Sequence, residues 1–253
     1  MTAVDVRQHE ADYGYDGDYR AIPAPAVAGI TAATSAALLA SAARCLRRGK
    51  PLAAAVTGGT GASIIATAAL FIRTTRVGKF EAWADILKDL RLRGDETLLD
   101  MGCGRGAVLL AAAKLLPNGR AIGVDIWRAD QTHNAEQNTL RNAEIEGVAD
   151  RVEVRTADIT DLPFDDDSFD VIVSSLVVHN IPDADARAKA ISEAARVLRP
   201  CGKLALVDIF YTNHYASQLR ALGWTDVRRR NLGWRMWWGP GMGTHVITAT
   251  KPA

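Results

Sequence analysis

The sequence predicts an α/β protein with a doubly wound, mostly parallel seven-stranded sheet, preceded by an N-terminal helical hairpin. From about residue 80, short β-branched runs alternate with amphipathic segments, and an early apolar strand ends in a glycine-rich turn. Before that, the stretches 22–43 and 52–72 contain no charged residue. We therefore divide the chain into a polar tail (1–21), a hydrophobic helical hairpin (22–72) and an α/β domain (78–253).

The overall charge does not favour a nucleic-acid partner. The 253 residues suit one α/β domain with an appendage, and 30 lysines and arginines balance 29 acidic residues. Nucleic-acid-binding domains usually carry a basic patch, so a small neutral or apolar partner is expected. Cys45, Cys103 and Cys201 have no paired spacing, and the start of the chain is acidic. We expect a reducing compartment, no structural metal and no cleaved signal peptide.

Residues 22–72 have the length of two membrane-crossing helices. Each uncharged run matches the roughly 20 residues that a spanning helix needs, and segment 44–51 makes a tight basic turn. Small residues such as Gly58, Gly59 and Gly61 permit close helix packing in lipid. Ala-rich helices packed on the α/β domain are the alternative, because Ala, Ser and Thr gain little from lipid. We expect membrane association, with an interfacial hairpin and a cytoplasmic protein as the alternatives.

The alternating pattern assigns the elements of the α/β domain in chain order. Helices are predicted at Phe80–Leu90, Ala107–Leu115, Asn134–Glu146, Ala184–Leu198 and Ala216–Leu222, and strands at Thr97–Asp100, Arg120–Asp125, Val152–Thr156, Phe169–Ser174 and Lys203–Asp208, with terminal strands near Val227 and Val246.

The turn after the first strand predicts a nucleotide-type ligand. Asp100 ends the strand, and Gly102, Gly104 and Gly106 follow before a helix begins. Glycines let the backbone turn tightly and approach a ligand. A dinucleotide site would instead read G-x-G-x-x-G and place a pyrophosphate at the helix start, where Asp100 would repel it. A carboxylate there suits the cationic amino end of S-adenosylmethionine (SAM).

At this loop the sequence resembles the class I SAM-dependent methyltransferases, and the resemblance extends from about Gly78 to the C-terminus. The family's first motif reads acid-x-Gly-x-Gly-x-Gly. Further matches are the acid ending the second strand, the segments 161–164 and 165–170 before the fourth strand, and the turn 198–203 before the fifth. The resemblance implies SAM as the cofactor, and a cytosolic cofactor implies that the catalytic domain faces the cytoplasm.

Further cofactor contacts are expected at the ends of the second to fourth strands. The Asp125 carboxylate can accept both ribose hydroxyls, and the resemblance places Asp158 at the adenine amino group with Ile159 on the ring. We also expect cofactor contacts from Cys103, Ile126 and Ser174. Each has a structural alternative, because acids at strand ends often cap helices and glycines often only make turns.

The region after the fourth strand indicates a small-molecule acceptor. Segment 174–180 reads SSLVVHN, whereas base-methylating relatives carry an Asn/Asp-Pro-Pro-aromatic motif there. The resemblance therefore implies a small acceptor rather than nucleic acid. His179 is the candidate general base, since imidazole titrates near neutral pH; capping a turn is its structural alternative. Asp208, Tyr211 and His214 are candidates for the acceptor side.

Tryptophan and arginine are dense near the C-terminus. The residues are Trp224, Arg228, Arg229, Arg230, Trp234, Arg235, Trp237 and Trp238. They suit either an amphipathic strand pair or a membrane-interface belt, and the belt would agree with the hairpin and a lipophilic acceptor.

The leading hypothesis is methyl transfer from SAM to a small, lipophilic acceptor. The rivals are a membrane-tethered SAM-binding protein without turnover and an NAD-dependent oxidoreductase on a related sheet. The acceptor atom and the oligomeric state are not encoded in the sequence.

Overall fold

The computed structural model describes residues 5–17, 21–128, 130–239 and 241–253. Its helices are α1 (Ala24–Arg47), α2 (Pro51–Arg73), α3 (Lys79–Leu90), α4 (Ala107–Ala113), α5 (Glu136–Ile145), α6 (Ala184–Val197) and α7 (Thr212–Ala221). Its strands are β1 (Thr97–Met101), β2 (Arg120–Asp125), β3 (Val152–Thr156), β4 (Phe169–Ser175), β5 (Leu198–Asp208), β6 (Arg228–Asn231) and β7 (His245–Thr250).

The seven strands form one sheet in the order β3-β2-β1-β4-β5-β7-β6. The first five are parallel, and β7 runs antiparallel to both β5 and β6. The predicted α/β class with a mostly parallel seven-stranded sheet and an N-terminal hairpin is thereby confirmed. The chain proceeds outward from β1 to β3 and then returns to β4, so the strand order reverses between β1 and β4. Ligands bind at such switch points in open α/β sheets.

Both faces of the sheet are buried. Leu98 and Leu99 are fully buried and lie in separate core clusters, because successive side chains of a strand point to opposite faces. Trp83 and Leu109 cover one face, and Ile191 covers the other. Burial on both sides explains why the central strands are continuously apolar.

Two element boundaries differ clearly from the prediction. Helix α7 begins at Thr212, four residues before the predicted start, because buried Tyr215 belongs to the same apolar face as Leu219. Packing thus overrides the weak helix propensity of this segment. Strand β5 begins at Leu198, where it pairs with Phe169 across a register shift. The turn before the predicted start at Lys203 therefore belongs to the strand.

The hairpin helices pack against each other through small residues. Within α1 and α2, the buried residues are Ser35, Ala54 and Gly61. A Cβ on Gly61 would lie 3.2 Å from the Cβ of Leu38, so glycine sets the close approach. The large apolar side chains point outward, including Ile30 (58% exposed) and Ile65 (47%). Both helices are long and apolar enough to cross a membrane.

A π-helical turn, Thr74–Gly78, joins α2 to α3 without interrupting the helix. The continuous helical segment therefore extends from Pro51 to Leu90. At Gly78 this helix meets the C-terminal 3-10 turn Gly233–Met236, where a Cβ would overlap the carbonyl oxygen of Arg235. The hairpin is thus joined to the α/β domain by a helix that packs on it.

The N-terminal segment 5–17 packs on the α/β domain. Val6, Ala11 and Tyr13 are buried in its core. Oε1 of Glu146 accepts hydrogen bonds from the backbone of Glu10 and Ala11, both at 2.9 Å. Asp12 of this segment pairs with Arg76 and Arg105, and Asp16 pairs with Lys79. The division of the chain into tail, hairpin and domain stays a prediction.

Candidate active site

A cavity of about 480 Å³ lies at the carboxyl ends of the central strands, beside the switch point between β1 and β4. Its volume is within the range of small-molecule sites, about 300–1,000 Å³. The predicted site residues that line it are Asp100, Gly102, Cys103, Gly104, Asp125, Ile126, Asp158, Ile159 and His179.

The glycine loop turns between β1 and α4 by positive φ angles. Gly102 has φ of +77°, and its backbone N–H donates to the Val124 carbonyl at 2.8 Å. A Cβ at Gly102 would overlap the side chain of Val177. Gly104 has φ of +50° and donates its N–H to Oδ2 of Asp125 at 2.8 Å. The glycines thus bring the loop against the ends of β2 and β4.

Asp100 is a buried carboxylate that needs a positive partner. It is 1% exposed, and its Oδ1 has no hydrogen-bond partner among the described residues. Burial, followed by the neighbouring Asp125 charge, raises the pKa of Asp100 to about 8. A cationic ligand group at this end of the cavity would lower that pKa and stabilise the ionised carboxylate.

The Asp125 carboxylate is held in a fixed orientation at the end of β2. Oδ2 accepts from Gly104 and Oδ1 accepts from the backbone of Trp127 at 2.6 Å. Burial raises the pKa of Asp125, although these hydrogen bonds oppose that shift. Each carboxylate oxygen has further acceptor capacity, so Asp125 can accept hydroxyls of a ligand.

Asp158 and Ile159 lie at the adjoining wall after β3. Oδ1 of Asp158 accepts the Thr160 N–H at 2.8 Å, which fixes the turn. Ile159 is 7% exposed and lines the cavity. A carboxylate beside an apolar side chain can bind a flat ring with polar edge groups.

His179 and Asp208 form a close pair at the other side of the cavity. Nδ1 of His179 lies 2.5 Å from Oδ1 of Asp208, which is 2% exposed. Oδ2 of Asp208 accepts the backbone N–H of His179 at 3.0 Å. Nδ1 and the carboxylate are not aligned as a hydrogen bond, so the pair is a close polar contact. The other ring nitrogen, Nε2, is the one that Asp208 does not contact.

Several predicted positions do not line the cavity. The Ser174 hydroxyl donates to the Met101 carbonyl at 2.7 Å and ties β4 to β1. Its neighbour Ser175 lines the cavity instead, because strand side chains alternate between faces. Gly106 lies behind the loop, where it begins α4 with φ of +87°. Tyr211, just before α7, and His214, within α7, are exposed and do not contribute to the lining.

The cavity also includes residues that the sequence pattern did not indicate. Lys79 at the start of α3 has a side chain that is 4% exposed, and its Nζ donates to Oδ2 of Asp16 at 2.8 Å. Gln131 accepts the Arg105 backbone N–H and donates to the Tyr13 carbonyl, both at 2.9 Å. These contacts connect residues far apart in sequence, so no local spacing signals them.

The C-terminal tryptophans divide between core and surface. Trp224 is 3% exposed and packs under β7, so it cannot belong to an interface belt. Trp234 is 59% exposed, with the Arg73 guanidinium 3.9 Å from its ring centroid. Half-buried Trp238 packs edge-on against Phe71 at 5.8 Å between ring centroids. Of these three tryptophans, only Trp234 and Trp238, near the base of the hairpin, remain candidates for a membrane-interface belt.

Comparisons with known proteins agree with this architecture. Residues 99–206 match the family model of a methyltransferase domain. The demethylmenaquinone methyltransferase of Lactobacillus johnsonii is 30% identical over 140 residues, or 54% of this chain and 52% of that protein. This chain spans about half or less of the length of its first curated relatives.

Two solved structures have the same fold. The [4+2]-cyclase SpnF gives a TM-score of 0.55 at 22% identity, covering 67% of this chain and 82% of that one. A SAM-dependent methyltransferase from Aquifex aeolicus gives 0.52 at 20% identity, covering 66% and 88%. At these identities the likeness concerns the fold alone.

The sheet order and the glycine loop define a Rossmann-like protein with a cavity at the switch point. With the domain match, residues 99–206 form a methyltransferase domain, and the chain is similar to the class I SAM-dependent methyltransferases, whose cofactor is SAM. The site fits this cofactor, since the unpaired oxygen of Asp100 marks a position for positive charge and SAM carries both an ammonium and a sulfonium.

Proposed function

We propose that this protein transfers a methyl group from SAM to a small, lipophilic acceptor. The observation that carries the proposal is a single cavity that joins two unlike regions. At one end are the carboxylates Asp100, Asp125 and Asp158; at the other are apolar side chains, including Phe71 and Trp238. The name of the demethylmenaquinone relative supports an apolar acceptor.

The cofactor roles follow from the chemistry of each position. Asp100 provides negative charge for the amino end, and Asp125 accepts the ribose hydroxyls. Asp158 binds the adenine amino group while Ile159 packs on the ring. The loop backbone from Gly102 to Gly104 and the side chain of Ile126 form the remaining wall, and Gly106 supports the turn.

Catalysis consists mainly of positioning and proton transfer. When bound, SAM supplies an electrophilic methyl group on a good leaving group, and the acceptor attacks in line. The cavity walls align the acceptor and exclude water. The Asp208 carboxylate beside Nδ1 of His179 favours the tautomer that carries its hydrogen on Nδ1, so Nε2 is the nitrogen that accepts the proton that an O–H, N–H or similar acceptor loses.

The test supplies SAM with a labelled methyl group and demethylmenaquinone as the first acceptor. It measures how much label appears in the product after extraction into an organic solvent. We expect His179→Gln to lower the rate by roughly 10²–10⁴-fold while SAM affinity is unchanged. Equal rates in wild type and His179→Gln at all pH values would contradict the base role. SAM binding without transfer to any apolar acceptor would indicate the tethered binding protein instead.

We further propose that the hairpin attaches the protein to a membrane, with the catalytic domain on the cytoplasmic side. At 1.5 Å per residue, the 24 residues of α1 extend about 36 Å, enough for the hydrocarbon core of a bilayer. The outward exposure of the apolar side chains supports this proposal. The basic residues Arg44, Arg47, Arg48 and Lys50 at the turn leave an interfacial hairpin as the alternative arrangement.

A further inference from the structure

The cavity has an apolar rim at the base of the hairpin. Phe71, Trp238 and Met242 line the cavity and are only half-buried, so they lie at its edge. Phe71 is in the last turn of α2, within the uncharged run that ends at Ile72. The same helical segment continues to Lys79, which lines the polar part of the cavity.

The side chains around this rim are those that favour a membrane interface. Arg73 stacks on exposed Trp234, and Arg76 follows one turn later with its side chain 48% exposed. Arginine and tryptophan keep an apolar body against lipid and a polar end in the headgroups. With the hairpin attached to a membrane as proposed above, the level of Arg73 marks where the hairpin leaves the lipid, and Phe71 lies just inside that level.

We propose that the acceptor enters the cavity sideways from the lipid bilayer, through an opening bounded by Phe71, Trp238 and Met242. This inference rests on the proposed function and assigns an access route to the same site. The ligand class is an amphiphile with an apolar body dissolved in the membrane. Its reactive end reaches His179 while its apolar part stays against the rim.

Photolabelling in vesicles tests this route without requiring turnover. The full-length protein is reconstituted in phosphatidylcholine–phosphatidylglycerol vesicles that contain a long-chain fatty alcohol with a diazirine, and labelled residues are mapped by mass spectrometry. We expect labels on the outer faces of α1 and α2, and also at Phe71, Trp238 or Met242 and on the cavity wall at Leu176. Labels confined to the outer faces of α1 and α2, with none on the cavity wall at Leu176, would overturn the proposal.

A variant that narrows the opening provides the second arm. Met242→Trp adds an aromatic ring at the rim and should lower cavity labelling at Leu176 at least fivefold. Ile65→Trp adds the same ring to an exposed hairpin position and should leave that labelling unchanged. Undiminished cavity labelling in Met242→Trp would also reject the route.

Calorimetric SAM titration of each preparation separates the two proposals. Protein that binds SAM but shows no rim labelling rejects the access route alone. Protein that does not bind SAM rejects the proposed function, whatever the labelling.

Discussion

Asp100, Asp125 and Asp130 lie close together at the carboxyl end of the sheet. Burial is the main cause that raises the pKa of Asp100 to about 8 and that of Asp130 to about 6, and in both cases the Asp125 charge adds to it. This arrangement opposes a phosphate-bearing ligand and favours a cation. The Asp125 contribution to these two pKa shifts agrees with a cationic ligand such as SAM.

The pH dependence of stability should reveal the Asp100 shift. In the unfolded chain Asp100 ionises near pH 4, and in the folded protein near pH 8. Between these values the folded state binds more protons, so this group lowers stability as pH rises. In the absence of SAM, we expect the free energy of unfolding of Asp100→Asn to rise relative to that of wild type by on the order of 2 kcal/mol as the pH goes from 6 to 8. Denaturation curves measure this. A difference in unfolding free energy between the two proteins that stays constant from pH 6 to pH 8 would contradict the raised pKa of Asp100.

Gly78 sets the contact between the long helix and the C-terminal 3-10 turn. We expect Gly78→Ala to destabilise the domain by about 1–3 kcal/mol, because the added methyl overlaps the Arg235 carbonyl. Gly59→Ala is the matched control, since a Cβ there meets nothing within 4 Å. Thermal unfolding measures both, and an equal response of the two variants would show that the helix does not dock as described.

Sequence reasoning identified carboxylates at strand ends that line the cavity in the structure. Asp100, Asp125 and Asp158 were accessible to it because a strand end and an acid are both local features. Ser174 was misplaced because alternation along β4 directs Ser175, not Ser174, to the cavity. Lys79 was missed because its partner Asp16 is 63 residues away and no periodicity relates them.

At the scale of elements, the N-terminal segment 5–17 contacts both the glycine loop and the end of α5, and we call it the clamp. Glu146 pairs with Lys114 at 2.6 Å and accepts from Ala11 and Tyr13. Burial alone would raise the pKa of Glu146, but the Lys114 and Ala11 hydrogen bonds hold it below its usual value. Through Tyr13 and Gln131 the segment reaches the glycine loop.

Release of this clamp should weaken cofactor binding. We expect Glu146→Ala to speed amide exchange in residues 5–17 at least tenfold and to raise the SAM Kd by roughly 2–10-fold, the value of about one hydrogen bond. Glu144→Ala, on the exposed side of α5, is the control. Unchanged exchange in Glu146→Ala would contradict the clamp.

The element pattern was largely predictable, and its failures have a common cause. The β1–β4 core strands and the hairpin have strong local signals in charge and apolar runs. The start of α7 does not, because Asn213 and His214 are weak helix formers whose conformation depends on the packing of Tyr215. A local sequence pattern cannot predict a contact that forms only when residues meet in the folded chain.

At the scale of the molecule, the outward apolar faces of the hairpin should determine membrane binding. We expect full-length protein to float with anionic vesicles, and Ile30→Glu combined with Ile65→Glu to abolish flotation, because a charge in the hydrocarbon core costs on the order of 3 kcal/mol. Leu222→Glu, at a similarly exposed site on the α/β domain, should float as wild type. Flotation of the double variant would contradict membrane attachment through the hairpin.

Calorimetric titration with SAM, S-adenosylhomocysteine and NADH tests the central claim most directly. We expect wild type to bind both SAM-type ligands and not NADH, and Asp125→Ala to bind them at least tenfold more weakly, while Asp161→Ala, an exposed carboxylate near the same strand ends, binds as wild type. Binding of NADH alone, or SAM affinity indifferent to Asp125→Ala, would contradict the cofactor site and the methyl-transfer function built on it.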